Sequence, residues 1–391
     1  MTRLAEFLAL RRDLALVLAA IVVIGAGEET WIRFVPKYLE SLGASVAIIG
    51  LYDALKTVLG AVYAYPGGIL SDRWGHRRAL VFFTALSIAG YIIVLLVPHW
   101  MAVLAGMFLF LVWSNLSLAA LFSLVGATLA PGKLTMGIGV QSLVKRLPIV
   151  VGPIAGGVLI DRFGMVEGVR IGLAISIALG AVSLWIQARM AVEPPDAPKV
   201  GSSLGAVVRQ FDPRLKRLLW SDILIRFCER IPFAWAVIYA MNNVGASATG
   251  VGVLTAVEMT VAMVCYIPVA HFADRHGREP FVLLTFVFFT LFPLSLAVAD
   301  SFALLMVAFA VRGLKEFGDP ARKALIIQYC RPETRGQMIG AYYLIRDTVV
   351  ATGSFAGAAL WAISPRANFL VAAALGAAGT VVYFVSRPRS N

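Results

Sequence analysis

Residues 68–78 read Gly68-Ile69-Leu70-Ser71-Asp72-Arg73-Trp74-Gly75-His76-Arg77-Arg78, a short basic loop set between two long apolar runs. A second loop of the same kind, Ala273-Asp274-Arg275-His276-Gly277-Arg278, follows 202 residues later, with Asp274 answering Asp72, Arg275 answering Arg73 and Gly277 answering Gly75. The register extends well beyond the loops. The same shift takes Gly43-Ala44-Ser45 onto Gly245-Ala246-Ser247, Gly50 onto Gly252 and Pro66 onto Pro268. Farther along, a shift of 201 takes Pro131 onto Pro332, Gly139 onto Gly340, Lys145 onto Arg346, Gly152 onto Gly353 and Gly156 onto Gly357. A near-constant offset across most of each half is the mark of an internal duplication.

What is duplicated is a set of membrane helices. The 391 residues are 60% hydrophobic and 14% charged, with a mean hydropathy of +0.83, whereas a soluble chain carries about 25% charged residues. The apolar residues fall in runs of the length needed to cross a hydrocarbon core, about 20 helical residues for about 30 Å. They lack the period-2 alternation of a β-barrel. The runs predict an all-α polytopic membrane protein with about 12 transmembrane helices in two pseudo-symmetric six-helix bundles. Spans are expected at about 13–37, 47–71, 79–98, 102–129, 136–160, 167–190, 217–242, 248–272, 280–299, 302–328, 337–362 and 367–386. A polar linker over 192–216, containing Pro194, Pro195, Pro198 and Gly201, separates an N-terminal bundle (1–191) from a C-terminal one (217–391).

Loop charge gives the orientation. One side collects nineteen Lys and Arg residues, from Arg3 to Arg389, and the other has only Lys37, Arg162, Arg170 and Arg366. Basic loops stay on the cytoplasmic side, so both termini and the linker are expected in the cytoplasm of a multi-pass plasma (inner) membrane protein. The same rule accounts for the net charge of +12; without basic stretches interleaved with aromatics, a nucleic-acid partner is not expected. Arg11-Arg12 precede an apolar run that continues to Glu28 and Trp31 without a convincing cleavage site, and the run reads as a retained first span. Cys228, Cys265 and Cys330 are scattered, with neither disulfide nor metal spacing. No cofactor and no metal are expected.

The loop at 68–78 and its echo resemble the signature loop between the second and third helices of the major facilitator superfamily (MFS). Gly139 followed by Gly152-Pro153-Ile154-Ala155-Gly156-Gly157 on the fifth span resembles the glycine-rich pattern of that family's proton-driven antiporters and drug or metabolite exporters, with Pro148 standing where one glycine is expected. The resemblance covers essentially the whole chain. It implies two six-helix bundles that alternate access to a central cavity lined by helices one, four, seven and ten. A parallel repeat of this kind is a transporter architecture with binding near mid-membrane. It also implies that Gly68, Asp72, Arg73, Gly75, Arg77, Asp274, Arg275 and Gly277 latch the cytoplasmic gate, a carboxylate meeting a helix N-terminus. Gly152, Pro153, Gly156 and Gly157 would form a hinge or a leak-proof contact, beyond the close packing that small residues give any membrane helix.

Eighteen ionisable residues lie inside the predicted spans: Glu28, Glu29 and Arg33; Asp53 and Lys56; Lys145 and Arg146; Asp222, Arg226, Glu229 and Arg230; Glu258; Arg312, Lys315, Glu316 and Asp319; Arg346 and Asp347. A charge at the bilayer centre costs at least about 2.5–3.5 kcal/mol, so these groups must face water or one another. Glu29/Arg33, Asp222/Arg226 and Arg312/Glu316 are four apart and Asp53/Lys56 three apart, so each pair is expected to share a helix face. Ion pairs that position helices account for many of them; a subset, led by Glu28 or Glu29 and Glu316, would bind substrate or carry a proton. Helix four supplies only Trp113, Ser114 and Asn115 at this level. Many proton antiporters of the family carry an arginine there, and this chain has Arg312 in the corresponding region of helix ten instead, so coupling is expected in the second half.

The expected function is a proton-coupled exporter of a small polar, zwitterionic or amphipathic organic solute, acting as a monomer among membrane lipids. The runner-up is a facilitator or symporter of organic anions. An enzyme or a receptor on the same scaffold is the remote alternative: His76, His99, His271 and His276 lie at loop positions, no nucleophile–base constellation stands out, and the tails offer no sizeable signalling domain.

Overall fold

A computed structural model describes residues 12–128, 134–190, 204–331 and 335–386, and within these the side chains except at 12–14, 64–69, 71–73, 76, 115–128, 134–145, 204, 206, 266–267, 269–271, 273–276, 320, 324 and 335–337. Among the described residues every regular element is helical. The helices match the expected spans: the second is Val46–Trp74, the third His76–Leu96, the fourth Trp100–Thr128, the fifth Leu134–Phe163 and the sixth Met165–Gln187. After a short helix at Leu204–Arg209 come the eighth span, Ala248–His276, the ninth, Glu279–Val298, the eleventh, Arg335–Ile363, and the twelfth, Pro365–Ser386. Six helices (the second, third, sixth, eighth, ninth and twelfth) each hold a stretch long and apolar enough to cross a membrane.

Three spans are broken. The first runs Arg12–Glu28, then a 3₁₀ turn at Ile32–Phe34, then Val35–Ser41, its halves bent by 42°. The seventh splits into Pro213–Arg230 and Trp235–Asn242, and the tenth into Phe302–Leu314 and Asp319–Tyr329. Each break has a local cause. Pro36 and Pro320 stand in the first turn of the second halves, where a missing N–H costs nothing, and Pro232 sits in the gap of the seventh span. Gly318 donates its freed backbone N–H to Thr285 Oγ1 at 2.5 Å, and Thr30 Oγ1 donates to the Gly27 carbonyl at 2.6 Å. These compensations are what broken helices need in a membrane. The fourth span, the repeat partner of the tenth, is continuous.

The chain forms two compact units. Unit 1 comprises Met1–Ala44, Leu59–Lys199 and Ser247–Val253; unit 2 comprises Ser45–Val58, Val200–Ala246 and Leu254–Asn391. Relative to a cut at the linker, the first turns of the second and eighth spans are exchanged, and the cause is close backbone packing at repeat-related glycines. In unit 2 a Cβ on Gly50 would fall 2.6 Å from Ala358 Cβ and 3.3 Å from the Ser354 carbonyl oxygen. In unit 1 a Cβ on Gly252 would collide with the carbonyl oxygen of Pro153, the residue that the repeat places on Ser354. The signature glycines also match: Gly75 and Gly277 have φ of +80° and +87°, a region that L side chains avoid, so each ends one helix and starts the next with a sharp turn.

Candidate functional site: an ionic chain in unit 2

The broken seventh and tenth spans place carboxylates and bases opposite one another in unit 2. Asp222, fully buried on the seventh span, accepts from Arg322 Nη1 at 2.6 and 2.7 Å through its two oxygens, from Arg346 Nη1 at 3.2 Å and from Tyr342 Oη at 3.1 Å. Arg322 also donates to Asp319 at 2.5 Å. Asp319 lies 2.7 Å from Lys323 and 3.9 Å from Arg226. Arg226 donates to Glu229 Oε2 at 2.6 Å, and Lys315 reaches Glu229 Oε1 at 2.6 Å. Lys315 then stands 3.8 Å from Glu258 Oε1, which pairs with Arg312 Nε at 3.2 Å.

The result is one alternating chain, Arg346–Asp222–Arg322–Asp319–Arg226–Glu229–Lys315–Glu258–Arg312, contributed by the seventh, eighth, tenth and eleventh spans. Alternation is what permits so many charges among apolar helices: each ion has an opposite neighbour, and the mutual attraction offsets desolvation that would otherwise cost several kcal/mol per ion. Aromatic faces complete the surroundings. Arg312 lies 5.0 Å from the Phe292 ring centre and 5.5 Å from that of Phe309, and Arg226 and Lys315 lie 5.4 and 5.6 Å from Phe289.

A second cluster adjoins the break of the seventh span. Arg230 donates to Asp53 Oδ1 at 3.1 Å, and Ser354 donates to Asp53 Oδ2 at 2.6 Å. Three cations surround the half-buried Phe233: Arg230 at 4.8 Å from the ring centre, Arg312 at 5.5 Å and Lys56 at 5.7 Å. Arg346 bonds its neighbour Asp347 at 2.7 Å. Glu316 is half-buried in the turn that separates the two halves of the tenth span.

Several expected pairs are replaced by tertiary ones. Glu29 and Arg33 do pair, at 3.2 Å. Arg312 pairs with Glu258 rather than Glu316, because the helix ends at Leu314 and the spacing of four no longer defines a face. Asp53 bonds Arg230 and Ser354 rather than Lys56. Asp222 keeps Arg226 only at 3.9 Å, its closer partners being Arg322, Arg346 and Tyr342. Arg322 and Lys323 were absent from the sequence-derived set, although Asp319 three and four residues earlier was the signal for both.

Unit 1 is built differently. Glu28 accepts from Tyr91 Oη at 2.7 Å. Trp31 donates to Ser176 at 2.9 Å and meets Phe110 and Tyr91 edge-on at 5.2 and 5.9 Å. Gly152 and Gly156 press on Glu29 and Thr30 of the first span, and Gly157 presses on Ala248. Arg146 is half-buried on the fifth span and Arg77 half-buried at the start of the third. The side chains of Asn115, Lys145, Asp72, Arg73, Asp274 and Arg275, and the surroundings of Gly68, lie outside the described residues. Among the described residues no group of His, Cys, Asp and Glu could hold a metal ion.

Comparison with known proteins agrees with this architecture. Over 155 residues the chain is 30% identical to the tetracenomycin C resistance and export protein of Streptomyces glaucescens, a match covering 37% of this chain and 27% of that protein, so it spans about a quarter of the relative's length. The fold is similar to that of a POT family transporter in complex with 5-aminolevulinic acid, with a TM-score of 0.79 at 12% identity over 96% of this chain and 95% of the other. It is similar also to the human organic anion transporter MFSD10 (TETRAN), with a TM-score of 0.71 at 16% identity over 95% and 99%. These relatives are transporters, not enzymes. The sequence profile of the Major Facilitator Superfamily matches residues 17–241 and 218–391, and the chain, a multi-pass membrane transporter, belongs to that superfamily.

Proposed function

We propose that the chain is a secondary active transporter that works by alternating access and exports a small polar, zwitterionic or amphipathic organic solute in exchange for protons. The observation that carries this reading is the alternating ionic chain at the breaks of the seventh and tenth spans. Carboxylates held between guanidinium groups among apolar helices can exchange partners, and with them protons, when their surroundings change. A purely structural set of ion pairs would not need to interrupt two helices at the same place. The partial relationship to an export protein supports the outward direction. The protein would act as a monomer in the plasma membrane, with both termini in the cytoplasm.

The test uses purified protein in lipid vesicles with a pH-sensitive dye trapped inside. Solutes from several metabolite classes are added under an imposed pH gradient, and a substrate is recognised by proton movement that depends on it. Glu316, in the turn of the tenth span, is assigned to coupling: Glu316→Gln should retain the folded state and substrate exchange yet lose proton movement. Undiminished proton-driven flux in that variant removes Glu316 from the role. Solute movement that ignores the gradient in the unaltered protein would replace exchange by facilitation.

A further inference from the structure

One acceptor in the ionic chain is left over. The Glu258 side chain is 3% exposed; its Oε1 takes Arg312 and, more distantly, Lys315, while Oε2 is buried without a hydrogen-bond partner. An unsatisfied buried acceptor is costly, and a native chain that keeps one commonly does so where something else completes it. The missing partner must be a donor, since the atom is a carboxylate oxygen.

The repeat supplies the second half of the argument. The shift of 202 that relates the second span to the eighth places Lys56 on Glu258. Repeat-equivalent positions thus carry opposite charges, a base in one copy and an acid in the other. Both belong to unit 2: Lys56 stands 5.7 Å from the Phe233 ring centre, and Arg312, the partner of Glu258 at 3.2 Å, stands 5.5 Å from the same ring. Arg230, 4.8 Å from the same ring, adds positive charge on the Lys56 side and is balanced there by Asp53. These pairings bring together here Lys56 and Asp53 from the second span, Glu229 and Arg230 from the seventh, Glu258 from the eighth, and Arg312 and Lys315 from the tenth.

We infer that Glu258 and Lys56 are the two poles of a site for a zwitterion. The substrate's ammonium group donates to Glu258 Oε2, its anionic end lies with Lys56 and Arg230, and its short apolar middle covers the Phe233 face. This rests on the transport reading and narrows its substrate class to molecules with an amino group at one end and a carboxylate at the other.

The test compares binding of 5-aminolevulinate with that of levulinate, which lacks only the ammonium group, to the purified full-length protein by calorimetry. The unaltered protein should bind the amino compound about tenfold more tightly or better, the size of one charge-assisted hydrogen bond. Glu258→Gln should erase that preference, read as the ratio of the two affinities within the same variant, because the bases it releases, Arg312 and Lys315, act on both ligands alike. Glu258→Asp, which keeps the charge, should restore part of it and control for folding. Lys56→Gln should weaken both ligands by similar factors and keep the preference. A preference that survives Glu258→Gln, or an unaltered protein that binds neither compound, overturns the bipolar site. Proton-coupled flux of other solutes would then leave the transport reading standing. Selective binding without any flux would do the reverse.

Discussion

The two units share a repeat but, among the described residues, differ in what mainly ties their helices together. Unit 1 ties its helices with neutral hydrogen bonds: Gln187 donates to Thr84 at 2.9 Å and to Ser183 at 2.9 Å, Ser183 reaches the Ala20 carbonyl, and Ser87 links the third and fourth spans by accepting from the Trp113 N–H at 3.0 Å and donating to the Phe110 carbonyl at 3.2 Å. Unit 2 ties its own with charges. Neutral polar pairs in a membrane interior contribute about 0.6–2 kcal/mol each and fail one at a time. A chain of buried ions is held by every member at once, so losing one leaves its neighbours uncompensated.

The sharpest contrast comes from removing one link in each. Asp222→Asn should leave Arg322 and Arg346 facing a neutral amide in a fully buried position, at a cost of about 3–5 kcal/mol. Thermal unfolding in detergent and in nanodiscs would show it as the largest loss of any single polar substitution. A variant that melts with the parent would mean the ions are hydrated and the contrast is false. Gln187→Leu in unit 1 should cost only about 1 kcal/mol, because Thr84 keeps its bond to the Leu80 carbonyl at 2.9 Å and Ser183 keeps Ala20. A loss equal to that of Asp222→Asn would show that unit 1 is as cooperative as unit 2.

That asymmetry was only partly legible in the sequence. Hydropathy located the spans because helices in lipid must satisfy their own backbone, and that requirement leaves a continuous apolar record. The duplication was legible because glycines at close approaches, Gly50 and Gly252, tolerate no side chain. Partner choice was not. Spacing rules presume an unbroken helix, and at Lys315–Gly318 the helix stops, which sends Arg312 to a residue on the eighth span. Arg322 escaped notice although it lies at the centre of the chain, because a base one turn after Asp319 looks like an ordinary surface pair until burial is known. Asp161 escaped for the opposite reason: it sits at a span end, where a carboxylate is unremarkable.

Asp161 offers the smallest and most selective test, since it is a charge in unit 1 that works across a repeat contact. Its two oxygens accept from the backbone N–H groups of Ala248 and Thr249, both at 2.8 Å, so a carboxylate from the fifth span caps the eighth at its positive end. The repeat places Ala362 at the corresponding position of the eleventh span, which offers no carboxylate there. Burial alone would raise the Asp161 carboxyl, but the bonds from Thr249, Ala248 and Ser247 outweigh it and hold it below the ordinary carboxylate value. A depressed folded value means that the contribution is complete above the unfolded value and disappears as pH falls through the lowered one. Asp161→Asn keeps one acceptor and loses the charge, so it should cost about 0.5 kcal/mol near neutral pH. The difference in melting temperature between the two proteins should stay constant down to about pH 4 and close below it. Identical melting temperatures near neutral pH would show the carboxylate to be unbonded in solution, and the fifth and eighth spans would then rest on packing such as the Gly157 and Gly252 contacts.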